Sequence, residues 1–154
     1  NLPVPFKNSH IMLKGISPII PPDLLMVLAE MGHGDEIVLG DGNFPAAANA
    51  RRLVRCDGHP IPPLLDAILK LLPLDPYVDK PVGLMAVVPG DNTKPTIWKE
   101  YKDIISRYDE RAADFESIER FAFYERASNA YAIVATGESA LYANIILKKG
   151  VIKS

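Results

Sequence analysis

The sequence predicts one α/β domain in which helices cover both faces of a central, largely parallel sheet, an α/β/α layering. Short apolar runs alternate with longer stretches of helical spacing. Those runs are continuous rather than polar-alternating, as strands buried on both faces require. At 154 residues the chain has room for one such unit with an ordinary core, and it carries no internal repeat, low-complexity run or linker.

Pro21-Pro22-Asp23 supplies helix-start signals, and Leu24, Leu25, Val27, Leu28 and Met31 recur at helical spacing until Gly32 stops the run. Glu36 to Leu39 follows as a buried strand ending in the turn formers Gly40-Asp41-Gly42-Asn43. Leu53 to Cys56 is a second short strand. Ile61 to Leu72, introduced by prolines and carrying Leu64, Leu65, Ile68 and Leu69, is the clearest helix. Leu84 to Val88 reads as a fully buried strand closed by Pro89-Gly90. Trp98 to Tyr108 reads as a mostly surface helix, and Phe115 to Ala127 as another, with Ile118, Phe121 and Ala122 facing inward. Ala130 to Thr136 and Asn144 to Leu147 complete the set as strands. Asn1 to Ile11 shows no periodicity, so the domain is expected over 12–154, the first eleven residues being an appended or disordered segment and His10 carrying no function.

The charge of −2 and the pI near 5.9 provide no basic field for a phosphate backbone, which argues against nucleic acid and favours a small neutral ligand. Cys56 is the only cysteine, so neither an internal disulfide nor a thiolate metal cluster can form, and a reducing, cytoplasmic setting is expected. No apolar stretch reaches the roughly 18 residues of a membrane span. Dinucleotide loop, P-loop, paired metal-binding histidines and nucleophile elbow are all missing. Proton transfer is a chemistry that such a chain can still perform, because it needs only positioned acids, bases and hydrogen-bond donors.

His33 is the first candidate for it. Gly32 and Gly34 flank it where a helix ends and a strand is about to begin, and an imidazole of pKa about 6.5 exchanges protons at neutral pH. A helix-capping loop histidine is the plainer alternative. His59, between turn residues, has only the plain reading. Asp41 sits at the C-terminal end of a predicted strand, where open α/β sheets bind ligands, although an Asx-turn would also explain it. Tyr142 and Asn144, two apart at the start of a strand, would share a face suited to a polyhydroxyl ligand. Arg120 and Tyr124, four apart on a helix, could pair as cation and aromatic ring without any ligand.

Three blocks of sequence resemble the family of fucose mutarotases and ribose pyranases. The first is Met31-Gly-His-Gly-Asp-Glu-Ile-Val38 with Asp41 and Asn43-Phe-Pro45. The second is Ile61-Pro62 with Leu71-Leu-Pro-Leu-Asp75. The third is Ile118-Glu-Arg-Phe121 with Phe123-Tyr-Glu-Arg-Ala127, then Ala135-Thr-Gly-Glu138 and Leu141-Tyr-Ala-Asn-Ile145. The likeness runs from Leu13 to about Ile152 and is highly specific, with the FYERA and LLPLD stretches nearer the fucose branch. What the resemblance implies is a ribose pyranase-like fold and cofactor-free interconversion of the α and β anomers of L-fucose. His33 would be the proton donor, with Tyr124 also catalytic. Asp41, Asp75, Arg120 and Tyr142-Ala143-Asn144 would be at the sugar, in a homo-oligomer whose Tyr-x-Asn segment reaches a neighbour's site. Ala143 departs from the family's usual Gly. A ribose pyranase-type isomerase and a sugar-binding protein without catalysis are the alternatives.

Overall fold

A computed structural model of the chain describes residues 13–153, so the N-terminal segment and His10 lie outside the described residues. Helix α1 (Pro22–Glu30) leads to β1 (Glu36–Gly40), a single turn of helix α2 (Ala46–Asn49), β2 (Leu53–Cys56) and helix α3 (Ile61–Leu69). There follow β3 (Val82–Met85), α4 (Ile97–Ser106), a 3₁₀ turn at Glu110–Ala113, β4 (Glu116–Ile118), α5 (Arg120–Asn129), β5 (Ala132–Thr136) and β6 (Ile145–Lys148). The sheet order is β2-β5-β1-β6-β3-β4. Strands β1 to β5 all run one way and β6 alone is reversed, pairing antiparallel with β1 on one side and β3 on the other.

Period-two alternation divides the core into two layers. Ile37, Leu39, Val82, Leu84, Val134, Ile145 and Leu147 face α1, α3 and α4, while Val38, Met85, Ile118, Ile133 and Ile146 face α5 and Phe44. The α/β/α layering therefore stands, with one antiparallel strand in an otherwise parallel sheet. Helix α3 is the main packing element on its face. Prolines at 60, 62 and 63 leave only the Ile61 N–H to satisfy in its first turn, which the Glu138 carboxylate accepts at 3.0 Å, and Ile61, Leu64, Leu65 and Ile68 are fully buried, each contributing about 1.5–3 kcal/mol of transfer free energy.

Several sequence-derived boundaries move. Phe115 to Ala127 is not one helix: Glu116–Ile118 forms β4 beside β3, and the helix begins only at Arg120. The Glu119 carboxylate caps it, accepting the N–H groups of Phe121 and Ala122 at 3.0 Å each. The inward face changes accordingly, with Phe123 and Ala127 buried while Phe121 and Ala122 point to solvent. Strand β3 comprises Val82–Met85 rather than residues 84–88, because β6 offers pairing only to Val82, Gly83 and Leu84. The α4 helix is more buried than expected: Ile97, Tyr101, Ile104 and Ile105 all face the core.

At the end of β5 the chain crosses the turn leading into α3 so closely that Gly137 has no room for a side chain. A Cβ there would lie 2.2 Å from the Asp57 carbonyl oxygen, a backbone atom that cannot swing aside. Gly137→Ala is expected to lower unfolding free energy by about 1–3 kcal/mol, measured by urea denaturation; a variant as stable as the parent would refute the crossing.

Candidate functional site

Two polar clusters form at opposite ends of the sheet. The first lies at the C-terminal ends of β1 and β3, around a cleft of about 270 Å³. Asp41, the residue after β1, is buried there. Its Oδ1 accepts the Asn43 N–H at 3.0 Å in an Asx-turn, and its own N–H donates to Oδ1 of Asn144 at 2.8 Å. Burial pushes the Asp41 carboxyl above its ordinary pKa, and the charge of Glu138 adds to this, while the N–H groups of Asn43, Ala143 and Phe44 partly offset it. The cleft thus contains a carboxyl and a carboxamide fixed to each other through the backbone.

Arg120, at the start of α5, holds its guanidinium 5.7 Å from the Tyr124 ring centroid and 5.3 Å from that of Phe121, the expected cation–aromatic pairing, and both Arg120 and Tyr124 line the cleft. Phe44 meets Tyr124 edge-on at 5.6 Å and fixes that ring from beneath. Tyr142 is not on a strand, since β6 starts at Ile145. It occupies a left-handed turn with φ of 56°, a conformation that costs a non-glycine residue about 1–2 kcal/mol. Trp98 donates its indole N–H to the Tyr142 carbonyl at 2.8 Å and holds the turn. Tyr142 and Asn144 share the cleft by this turn and not by strand alternation. The Ala143 side chain does not reach the cleft: it is buried in the α3/α4 layer, while its N–H restrains the Asp41 carboxyl and its carbonyl accepts the Tyr101 hydroxyl at 2.7 Å.

The second cluster lies before β1. Gly34 turns the chain at φ of 88° and donates its N–H to the Lys149 carbonyl at 2.8 Å, which leaves His33 half exposed. The His33 Nε2 is 3.0 Å from Oδ1 of Asp75, a buried carboxylate that also accepts the Tyr77 N–H at 3.0 Å. Burial alone would raise the Asp75 pKa, but the Tyr77 N–H, His33 and the Lys148 charge outweigh it and hold the carboxyl below its ordinary range. An ionised carboxylate can only accept, so Nε2 carries the proton and Nδ1 is left as the imidazole's exchangeable face. Arg111 secures the segment behind this pair, donating to the carbonyls of Asp75, Val78 and Asp79.

His33 and Asp75 therefore do not join Asp41, Arg120, Tyr124, Tyr142 and Asn144 within one chain. Strand β1 lies between them and alone is about 13 Å long at 3.3 Å per residue. Among the described residues no group of three or more His, Cys, Asp or Glu side chains could hold a metal ion, and no helix is long and apolar enough to cross a membrane.

A family model described as the RbsD / FucU transport protein family matches residues 14–152. The chain belongs to the RbsD/FucU family. Among its relatives in that family, the L-fucose mutarotase of Actinobacillus pleuropneumoniae serotype 5b is 50% identical over 140 residues, covering 91% of this chain and 97% of that protein. The human fucose mutarotase is 51% identical over 148 residues, covering 92% of this chain and 96% of that protein. The crystal structure of the Streptococcus pneumoniae fucose mutarotase in complex with L-fucose superposes with a TM-score of 0.86 at 55% identity, covering 92% of this chain and all of that one.

For this RbsD/FucU member, sequence reasoning missed Asn43, Phe44, Met85, Val88, Asp91 and Leu141 as cleft-lining residues. The apolar ones carry no polar signal of their own, whereas the Gly40–Asn43 and Pro89-Gly-Asp91 turns both read as polar loops. The depressed Asp75 pKa has a measurable consequence. A carboxyl held below its unfolded-state value contributes stability above that value and loses it as pH falls through the folded one. The parent should lose thermal stability below about pH 5 more steeply than Asp75→Asn, followed by unfolding midpoint against pH; parallel curves would contradict the assigned partners.

Proposed function

We propose that this protein is an L-fucose mutarotase that exchanges α and β anomers by general acid–base ring opening and closure. The observation that carries the reading is the convergence of Asp41, Arg120, Tyr124, Tyr142 and Asn144 on one cleft, in a chain 55% identical to a fucose mutarotase solved with L-fucose. Mutarotation breaks the bond between C1 and the ring oxygen, rotates about C1–C2, and recloses the ring on the other face of the aldehyde. One group protonates the ring oxygen while another takes the proton of the anomeric hydroxyl, and reclosure reverses both transfers. Positioned groups of this kind contribute about 10²–10⁴-fold.

In this reading Asp41, Arg120 and Asn144 hold sugar hydroxyls, and the Tyr124 ring, braced by Phe44, packs on the apolar side of the pyranose. His33 is the proton donor, and Tyr124 or a bound water is its partner. His33 lies a strand's length from the cleft of its own chain, so the donor at each cleft comes from a neighbouring copy, whose His33–Asp75 pair closes over the sugar. Tyr142 and Asn144 then act in trans to the histidine they serve, and a closed homo-oligomer is the assembly this requires. The buried Cys56, whose thiol is pushed up to about 11 by desolvation and the neighbouring Asp57 charge, is unreactive and suits a cytoplasmic enzyme.

Magnetisation-transfer NMR between anomers tests the activity. L-fucose should exchange faster than D-ribose. A preference for ribose would move the protein to the pyranase branch, and no acceleration for any sugar would leave only a binding protein. His33→Gln should lower the rate by about 10–100-fold or more with circular dichroism and melting unchanged; retained activity would transfer the acid role to Tyr124.

Subunit mixing tests the shared site. His33→Ala and Asn144→Ala chains, each inactive alone, should regain part of the activity when exchanged together, because some clefts then combine the intact half of each. Absence of recovery under conditions where subunits demonstrably exchange would show that each chain builds its site unaided.

A further inference from the structure

Tyr142 is constrained beyond what a merely sugar-stacking ring needs. Its backbone is held in the left-handed region, and its phenol oxygen has two partners on the loop that follows β3. It donates its proton to Oδ2 of Asp91 at 2.6 Å and accepts the Val88 N–H at 3.3 Å. Asp91 lines the same cleft, yet its carboxylate is occupied: Oδ1 accepts both the N–H of Thr93 at 2.8 Å and the Thr93 hydroxyl at 2.6 Å. A carboxylate only accepts, so in the Tyr142–Asp91 pair the direction of donation is not free. The phenol keeps one lone pair and no proton to offer the cleft.

We propose that Asp91 is a positioning residue that sets the polarity of Tyr142, making the phenol a pure acceptor, so that the sugar hydroxyl facing it must donate. The inference rests on the mutarotase reading for the identity of the ligand, and it goes beyond it in assigning a role to a loop residue that does not itself hold the sugar. Two charges face the phenol from different elements, Asp91 from the loop and Arg120 from α5. The first raises the phenol's pKa and the second opposes it. The carboxylate of Asp91 is in turn held below its ordinary value, by the Thr93 hydroxyl first and the Tyr142 phenol second, and so stays an acceptor at neutral pH.

Asp91→Asn separates polarity from shape. The two donors of Thr93 retain the amide oxygen, the amide NH₂ turns toward Tyr142, and the phenol proton is released into the cleft. The dissociation constant and KM for L-fucose should rise by about tenfold or more, as expected where the phenol and the sugar hydroxyl facing it both present donors, while kcat changes far less and the melting temperature stays at the parent value. Asp91→Ala, which removes the acceptor without reversing it, should give a smaller loss. In a Tyr142→Phe background the Asp91→Asn effect should shrink to within about twofold, since Asp91 acts only through the phenol. The ¹³Cζ tyrosine resonance that disappears in Tyr142→Phe should shift in Asp91→Asn.

Unchanged affinity in Asp91→Asn, an equal loss with and without the phenol, or an unmoved resonance would each overturn the proposal. Fucose binding without anomer exchange in the parent would overturn the mutarotase reading alone, because the affinity and resonance measurements remain readable.

Discussion

The reversal of β6 is the constraint on which the rest of the structure depends. Because it runs against its neighbours, its first flank lies at the C-terminal ends of β1 and β3 and its last flank at their N-terminal ends. Asn144, before the strand, can then reach the N–H of Asp41. At the other end the carbonyl of Lys148 receives the Asp75 N–H and that of Lys149 receives the Gly34 N–H. The Lys149 ammonium also donates to the Leu28 and Met31 carbonyls and so caps the end of α1 beside His33. One buried strand thus fixes both polar clusters. Had it been parallel, the Tyr142–Asn144 segment would lie with His33 and the Lys148–Lys149 carbonyls with Asp41.

The two clusters differ in how their side chains are held. The cleft is held by groups whose hydrogen bonds are spent on one another: Asp41 on Asn43, Asn144 on the Asp41 N–H, Tyr142 on Asp91. Buried Glu138 completes the set behind them, accepting the N–H of Ile61 through Oε1 and that of Ala140 through Oε2. Such a site is ordered before any ligand arrives, which reduces the entropy lost on binding. The histidine cluster has one well-tethered carboxylate and one half-exposed imidazole whose Nδ1 makes no hydrogen bond among the described residues. The proposed division, binding in one place and proton donation in another, fits a shared site, because β1, buried and paired on both sides, separates His33 from the cleft of its own chain.

Helices α1 and α3 and strands β1, β2 and β5 were legible because each carries its own periodicity and its own terminators, the prolines at the starts of both helices and Gly32 and Gly137 at two ends. Strand β4 was not. Apolar residues at 115, 118, 121 and 122 fit one helix as well as a strand followed by a helix, and what breaks the pattern is the Glu119 cap, an interaction that a side chain makes only after the backbone has turned. The direction of β6 was equally hidden, since its three apolar residues pair in either sense and the choice is made by neighbours far away in sequence. At the site, Asp41, Arg120 and Asn144 stood out by residue type and position. The eight positions from His33 to Asp41 look adjacent on the page, but they hold an extended strand that puts the two side chains at opposite ends. Asp91 was hidden for the opposite reason. It makes an ordinary Asx-turn with Thr93, which exhausts its sequence signal, and its contact with Tyr142 spans 51 positions.

Ala143 shows how the same turn tolerates a change at its centre. Flanked by two residues that face the cleft, it presents only backbone to the polar side: its N–H helps restrain the Asp41 carboxyl and its carbonyl takes the Tyr101 hydroxyl. Its methyl points the other way and is fully buried against the α3/α4 layer. A glycine there would keep both backbone interactions and lose a buried methyl, worth on the order of 1 kcal/mol, and would free a backbone that the left-handed Tyr142 needs held. The alanine therefore adds stiffness on the core side of a turn whose other side must stay in register with Asp41. Its effect on a ligand is indirect, through the precision with which Tyr142 and Asn144 are presented.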